Sequence, residues 1–213
     1  TSDEEIGSPD SKDWLVTESN RFDIGLGFEP CLENGNFISD RKGSTNIKVT
    51  TKGKAAHVGR AIKDGVNAID QLVSFLGDLV SQKKEGLIIN VGTITGGEKA
   101  NIVPDYAECM INIRGGVESD INGVLEWMEG YKPNIGTLEI ECLGLRPPKP
   151  LTPEVSTLLG HLKEAGTSLG QPIDWESSGG VCDGNFMAAG GLPTIDTLGA
   201  IGKGMHTDTE YID

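Results

Sequence analysis

Between residues 46 and 143 the apolar residues change their period four times, and this alternation restricts the fold more than any other feature of the chain. At 46–51, Ile47 and Val49 alternate with Asn46, Lys48 and Thr50, the signature of a strand with one buried face. At 67–82 the period becomes helical, with Ala68, Ile69, Leu72, Val73, Leu76, Leu79 and Val80 on one face. Residues 87–95 and 106–114 read as two further strands, separated by the Gly-rich, Pro-terminated stretch 96–104. A second helix follows at 117–129, with Ile121, Val124, Leu125 and Met128 inside, and 137–143 alternates as a last strand. The order β-α-β-β-α-β is that of the split βαβ, or ferredoxin-like, arrangement, in which two helices cover one face of a four-stranded antiparallel sheet.

Residues 45–143 are thus expected to form one domain of ordinary size. The flanks, 1–44 and 144–213, are each too short to stand alone. They are expected to meet as the first and second parts of an α/β domain into which 45–143 is inserted. The second flank offers a helix at 153–169 and then two Gly-rich runs, SSGGVCDGNF and AAGGLPTIDTLG. Glycines at that density suit loops framing a site at strand ends, and they suit tight strand-to-helix crossings equally well.

Composition removes several classes of function. Eighteen basic residues against thirty-two acidic ones leave a net charge of −14, opposite to the footprint that phosphate-backbone binding requires, so no nucleic-acid partner is expected. No apolar stretch approaches the ~20 residues of a membrane-spanning helix, so no membrane partner is expected either. Cys31, Cys109, Cys142 and Cys182 form no CxxC pair, and the first ten residues lack a basic segment followed by an apolar run. A cytoplasmic location is the expectation. The acid is unevenly spread: 45–143 holds ten basic and thirteen acidic groups, which leaves most of the negative charge in the flanks.

Glu4-Glu5 in SDEEIGS is the first chemical candidate. Adjacent carboxylates at a turn point in different directions, so one can ligate a metal while the other acts as general base; an adjacent acid pair is also a common solvated surface. Glu29, in GLGFEP, is either a turn acid or a further ligand. His206 sits in the Gly-flanked KGMHTDTEYID, His57 between the first strand and first helix of the inserted unit, and His161 inside the helix at 153–169 as a packing or surface residue. One histidine with two separated carboxylates is an incomplete zinc set.

Six segments, DEEIGS, FEP, TKGKAAHVGRAIKDGVNAI, GGEKANIVPDYAECMINIR, GGVCDGNF and GMHTDTEYID, occur in an order and spacing that resemble the zinc-dependent aminoacylase and carboxypeptidase family of metallopeptidases. That family includes glutamate carboxypeptidases, acetylornithine deacetylase and succinyl-diaminopimelate desuccinylase. The resemblance implies a partial α/β zinc-peptidase catalytic domain with an inserted ferredoxin-like lid and dimerisation domain at 45–143. It implies Glu4 as general base, Glu5 and His206 as ligands of one zinc, and Glu29 as a ligand of a second, with cobalt or manganese as alternatives. His57 would help polarise the scissile carbonyl across a homodimer, while Asn101 and Arg114 would hold a substrate carboxylate, a task for which a planar guanidinium is suited. The implied activity is amide hydrolysis of a peptide or N-acyl amino acid by a metal-bound water. In that family a His-x-Asp and a bridging Asp precede the DEE segment, so this chain by itself is expected to be inactive. The alternative is a non-catalytic dimerisation or binding module.

Overall fold

The computed structural model describes residues 1–204 and 207–212. It divides into two units, Ser44–Leu145 and the combination of Thr1–Gly43 with Arg146–Asp213. In chain order, the flanking unit carries a 3-10 turn at Glu4–Ile6, helix α1 (Lys12–Ser19), and strands β1 (Gly25–Leu26) and β2 (Phe37–Arg41). The central unit is then built from β3 (Gly43–Lys52), β4 (Ala56–His57), α2 (Val58–Ala61), α3 (Ala68–Val80), β5 (Leu87–Gly96), β6 (Ile102–Val103), β7 (Tyr106–Gly115), α4 (Glu118–Gly130) and β8 (Thr137–Arg146). The flanking unit resumes with α5 (Pro153–Ser168), β9 (Trp175–Ser178), α6 (Gly184–Ala189), β10 (Thr194–Ile195), β11 (Gly202–Lys203) and β12 (Tyr211–Ile212).

In the central unit the sheet order is β5-β7-β3-β8, with β5 and β8 at the edges. Counted along the β-α-β-β-α-β connection this is the order 2-3-1-4, the ferredoxin-like topology. Strands β5 and β7 pair antiparallel from Leu87↔Gly115 to Gly96↔Ala107, with an irregularity between Val91 and Thr93 at Gly92. Strict alternation sends Ile47 and Val49, Leu87 and Ile89, and Ala107, Cys109, Ile111 and Ile113 to one face, where they meet α3 and α4 in a single core.

Helix α3 begins where Asn67 accepts hydrogen bonds from the Ile69 and Asp70 amides, at 2.9 and 3.2 Å. Its buried stripe is Ala68, Gln71, Leu72, Phe75 and Leu79. The expected face needs correction here: Val73 and Val80 are 62% and 47% exposed, and Phe75 takes the centre. Phe75 stacks on Trp127 and meets Tyr131 edge-on, and this aromatic trio rotates the helix away from the face that aliphatic spacing alone selects. The last strand, β8, also runs three residues beyond 143, to Arg146.

The flanking unit is held by parallel pairings, β1 with β10 and β2 with β9. Helix α5 starts at Thr152, whose hydroxyl accepts from the Val155 amide at 3.3 Å, with Pro153 in the first turn. It places Val155 and Leu159 against Ile195 of β10. No helix among the described residues is long and apolar enough to cross a membrane.

Candidate functional site

In the flanking unit the acidic turn is set by Asp3. Its carboxylate accepts from Ser11 Oγ at 2.6 Å and from the Asp10 and Ser11 amides at 2.9 and 3.1 Å, bonds that hold it well below the usual carboxylate range. The turn carries Glu4 and Glu5 and closes at Gly7, φ +95°, followed by Ser8 at φ +55°, a left-handed conformation rare outside glycine. Ser8 is fully buried there and donates to Asp183 Oδ1 at 2.5 Å. Burial alone would push the Asp183 carboxyl up; the Ser8 and Thr1 hydroxyls together with the Thr1 amino group overcome it and pull it below its ordinary value.

The side chain that meets Glu4 is Arg146. It pairs with Glu4 Oε1, donates to the Glu4 carbonyl and to Ser8 Oγ, and lies 5.5 Å over the Phe186 ring. Glu4 is half-buried and Glu5 exposed. Glu29 follows β1, its amide donating to the Asp196 carbonyl at 3.2 Å and its carbonyl accepting from Gly199 at 3.0 Å. A side chain at Gly199 would collide with the Phe28 and Glu29 carbonyls, so only glycine allows this approach. Burial pushes the Glu29 carboxyl up, and the negative charges of Glu4, Asp183 and Asp196 push it further while Arg41 opposes them. Thus the unit brings Glu4 and Glu29 into one electrostatic neighbourhood.

Behind them is a buried charge cluster. Arg41 Nε and Nη2 reach Asp196 Oδ2 and Oδ1 at 2.8 and 3.2 Å, and Lys149 Nζ lies 3.4 Å from Asp196 Oδ2 and bonds the Ile38 and Thr194 carbonyls at 3.3 Å. Cys182 Sγ sits 3.3 Å from Asp196, and burial with that carboxylate pushes its thiol up to about 12, so it is no nucleophile at neutral pH. Gly184 also packs here, with no room for a Cβ against Asp196 Oδ2.

In the central unit, β4 and β6 pair so that His57 faces Ile102, and the Val58 amide donates to the Asn101 carbonyl at 3.1 Å. His57 and Asn101 therefore share one exposed corner although 44 residues separate them. His57 caps α2, its Nδ1 accepting from the Gly59 amide at 3.1 Å. A cavity of about 670 Å³ opens beside this corner, lined among others by Val58, Ile62, Asn67, Lys99 and Ile102. Arg114 lies elsewhere in the unit, on β7, with Nε donating to Asn112 Oδ1 at 2.9 Å. His161 is exposed on α5, 3.9 Å from Glu164, as a surface residue.

His206 lies outside the described residues. Among the described residues no three His, Cys, Asp or Glu side chains group as a metal site. The donor chemistry at Glu29 fits a divalent cation, because a carboxylate disfavoured by burial and like charge is relieved by a positive one. Sequence reasoning did not single out Arg146, Asp183 or the Arg41–Asp196–Lys149 cluster. The RPPKP stretch has no apolar period, and its cations look like loop surface until the fold buries them.

Residues 39–131 match the peptidase dimerisation domain. Over 99% of its length the chain is 29% identical to carboxypeptidase G2 of a Pseudomonas strain, covering 53% of that protein. It is also 29% identical to succinyl-diaminopimelate desuccinylase of Cereibacter sphaeroides, over all of this chain and 60% of that one. The chain spans about half the length of the curated relatives it matches. In fold it is similar to the crystal structure of aminopeptidase PepT from Bacillus cereus, with a TM-score of 0.73 at 18% identity over 95% of this chain and 57% of that one.

Proposed function

We propose, from the match of residues 39–131 to the peptidase dimerisation domain, that this chain is part of a homodimeric, metal-dependent hydrolase. It cleaves an amide bond in a peptide or N-acyl amino acid that carries a free carboxylate. The observation that carries this reading is the convergence of Glu4 and Glu29, with the Glu29 carboxyl raised by burial and by its acidic neighbours.

Glu4 serves as general base, taking a proton from water and returning it to the leaving amine. Arg146 fixes one of its oxygens and so restricts the carboxylate to one orientation. Glu5 and His206 would hold one cation and Glu29 a second, zinc with cobalt or manganese as substitutes. When bound, they supply Lewis acidity toward the substrate carbonyl and acidify water. His57 donates toward the developing oxyanion in the partner subunit, and Asn101 with Arg114 binds the substrate's carboxylate end.

Dimerisation is assigned to residues 45–143. The edge strand β5, LIINVGTITG, carries no charged residue or proline to blunt its unpaired backbone, and Ile88 and Ile94 are 45% and 59% exposed.

The test is hydrolysis by the intact protein of a dipeptide with a free C-terminal carboxylate and of the same dipeptide as its amide. Turnover of the first, reduced about a hundredfold or more in Glu4→Gln with the fold unchanged, supports the reading. Turnover indifferent to Glu4, or none with zinc, cobalt or manganese added, sinks it in favour of a non-catalytic dimerisation module.

A further inference from the structure

We propose that Asn112 is the positioning residue of the carboxylate-binding Arg114; this rests on the substrate-binding role given to Arg114 above. Both side chains stand on the helix-free face of β7, because Ile111 and Ile113 point into the core beneath α3 and α4. The Asn112 amide is oriented by its neighbours. Its Nδ2 faces three acceptors on β3: Asn46 Oδ1 at 2.8 Å, Ser44 Oγ at 3.1 Å and the Thr45 carbonyl at 3.3 Å.

An amide nitrogen directed at three acceptors leaves Oδ1 on the other side, where Arg114 Nε donates to it at 2.9 Å. A guanidinium has no acceptor and a carbonyl no donor, so the reverse orientation of the amide would set donor against donor at Arg114 Nε and oxygen against oxygen at the Thr45 carbonyl. By holding Nε, Asn112 orients the plane of the guanidinium that meets the carboxylate. The strand register contributes as well: residues two apart on β7 share a face, and β3 lies beside it to supply the three acceptors. The planar fork is held before substrate arrives, which lowers the entropy lost in binding.

The test is steady-state kinetics of the intact protein on the carboxylate dipeptide and its C-terminal amide, with Asn112→Ala, Arg114→Ala and the double variant. The expected result for Asn112→Ala is a KM about tenfold higher on the carboxylate dipeptide, kcat within about twofold, and no change on the amide. In the Arg114→Ala background the same substitution is expected to add nothing, because its only route to substrate has been removed. Asn46→Ala, at an exposed position, removes one anchor of the amide and is expected to raise KM less, in the same direction; it serves if Asn112→Ala does not fold.

Three outcomes separate the proposal from its foundation. If Arg114→Ala leaves KM unchanged, the substrate-binding role of Arg114 fails and the Asn112 proposal falls with it. If Arg114→Ala raises KM while Asn112→Ala and Asn46→Ala do not, the positioning role alone is overturned. Effects of Asn112→Ala that add to those of Arg114→Ala, or that lower kcat on both substrates, reduce Asn112 to a structural tie between β7 and β3 and overturn it too.

Discussion

Arg41 grips Asp196 through two hydrogen bonds, Nε to Oδ2 at 2.8 Å and Nη2 to Oδ1 at 3.2 Å, with 7% and 1% of the two residues exposed. The fully buried Lys149 shares the same carboxylate. One anion thus serves two buried cations. Asp196→Asn leaves both without a counter-charge, and the expected cost is about 3–5 kcal/mol, read by urea unfolding. A loss below about 1 kcal/mol would show that the cluster is solvated and its burial energetically unimportant.

Ser8 and Asp183 carry a pH signature. The Asp183 carboxyl is depressed in the fold, so its contribution to stability is present above the ordinary value of 3.8 and is lost as pH falls through the folded pKa. Ser8→Ala removes the 2.5 Å bond and is expected to cost about 1.5–3 kcal/mol at pH 7. The difference from the wild-type protein should shrink as acid protonates Asp183. A difference that stays constant while acid protonates Asp183 would assign the effect to the lost contact of Ser8 Oγ with Arg146.

Phe75 anchors the central unit. It is fully buried, stacks on Trp127 and meets Tyr131 edge-on, at centroid distances of 5.7 and 5.0 Å. Phe75→Ala is expected to destabilise this unit by about 3–5 kcal/mol. The change should appear in thermal unfolding and in the fluorescence of Trp127.

The unblunted β5 edge makes dimerisation testable without disturbing the core. Ile94 is 59% exposed, so Ile94→Lys should leave secondary structure and melting of the unit unchanged while placing a charge on the edge. Sedimentation is expected to show a shift from dimer to monomer. An unchanged dimer would move the interface elsewhere in the chain.

Several elements could be recognised from residue order alone, because their information is local. Ile47 and Val49, Leu87 and Ile89, and Ile111 and Ile113 repeat every second residue, and Leu72, Phe75 and Leu79 repeat with the helix, so strands and helices announce themselves in β-α-β-β-α-β order. Local spacing could not orient α3, since Phe75, Trp127 and Tyr131 find one another only across helices; Val73 and Val80 are turned outward by that packing.

The amino-acid sequence by itself determined which kinds of side chain are available for chemistry: the adjacent Glu4 and Glu5, Glu29, the sparse histidines and Arg114. Only the tertiary structure decided their partners. Arg146 reaches Glu4 across 142 positions, Asp196 reaches Arg41 across 155, and a two-residue pairing of β4 with β6 sets His57 beside Asn101. Such contacts carry no period along the chain. They follow from strand register and from the need of buried charges and amides for partners, a need met only once distant segments have been folded together.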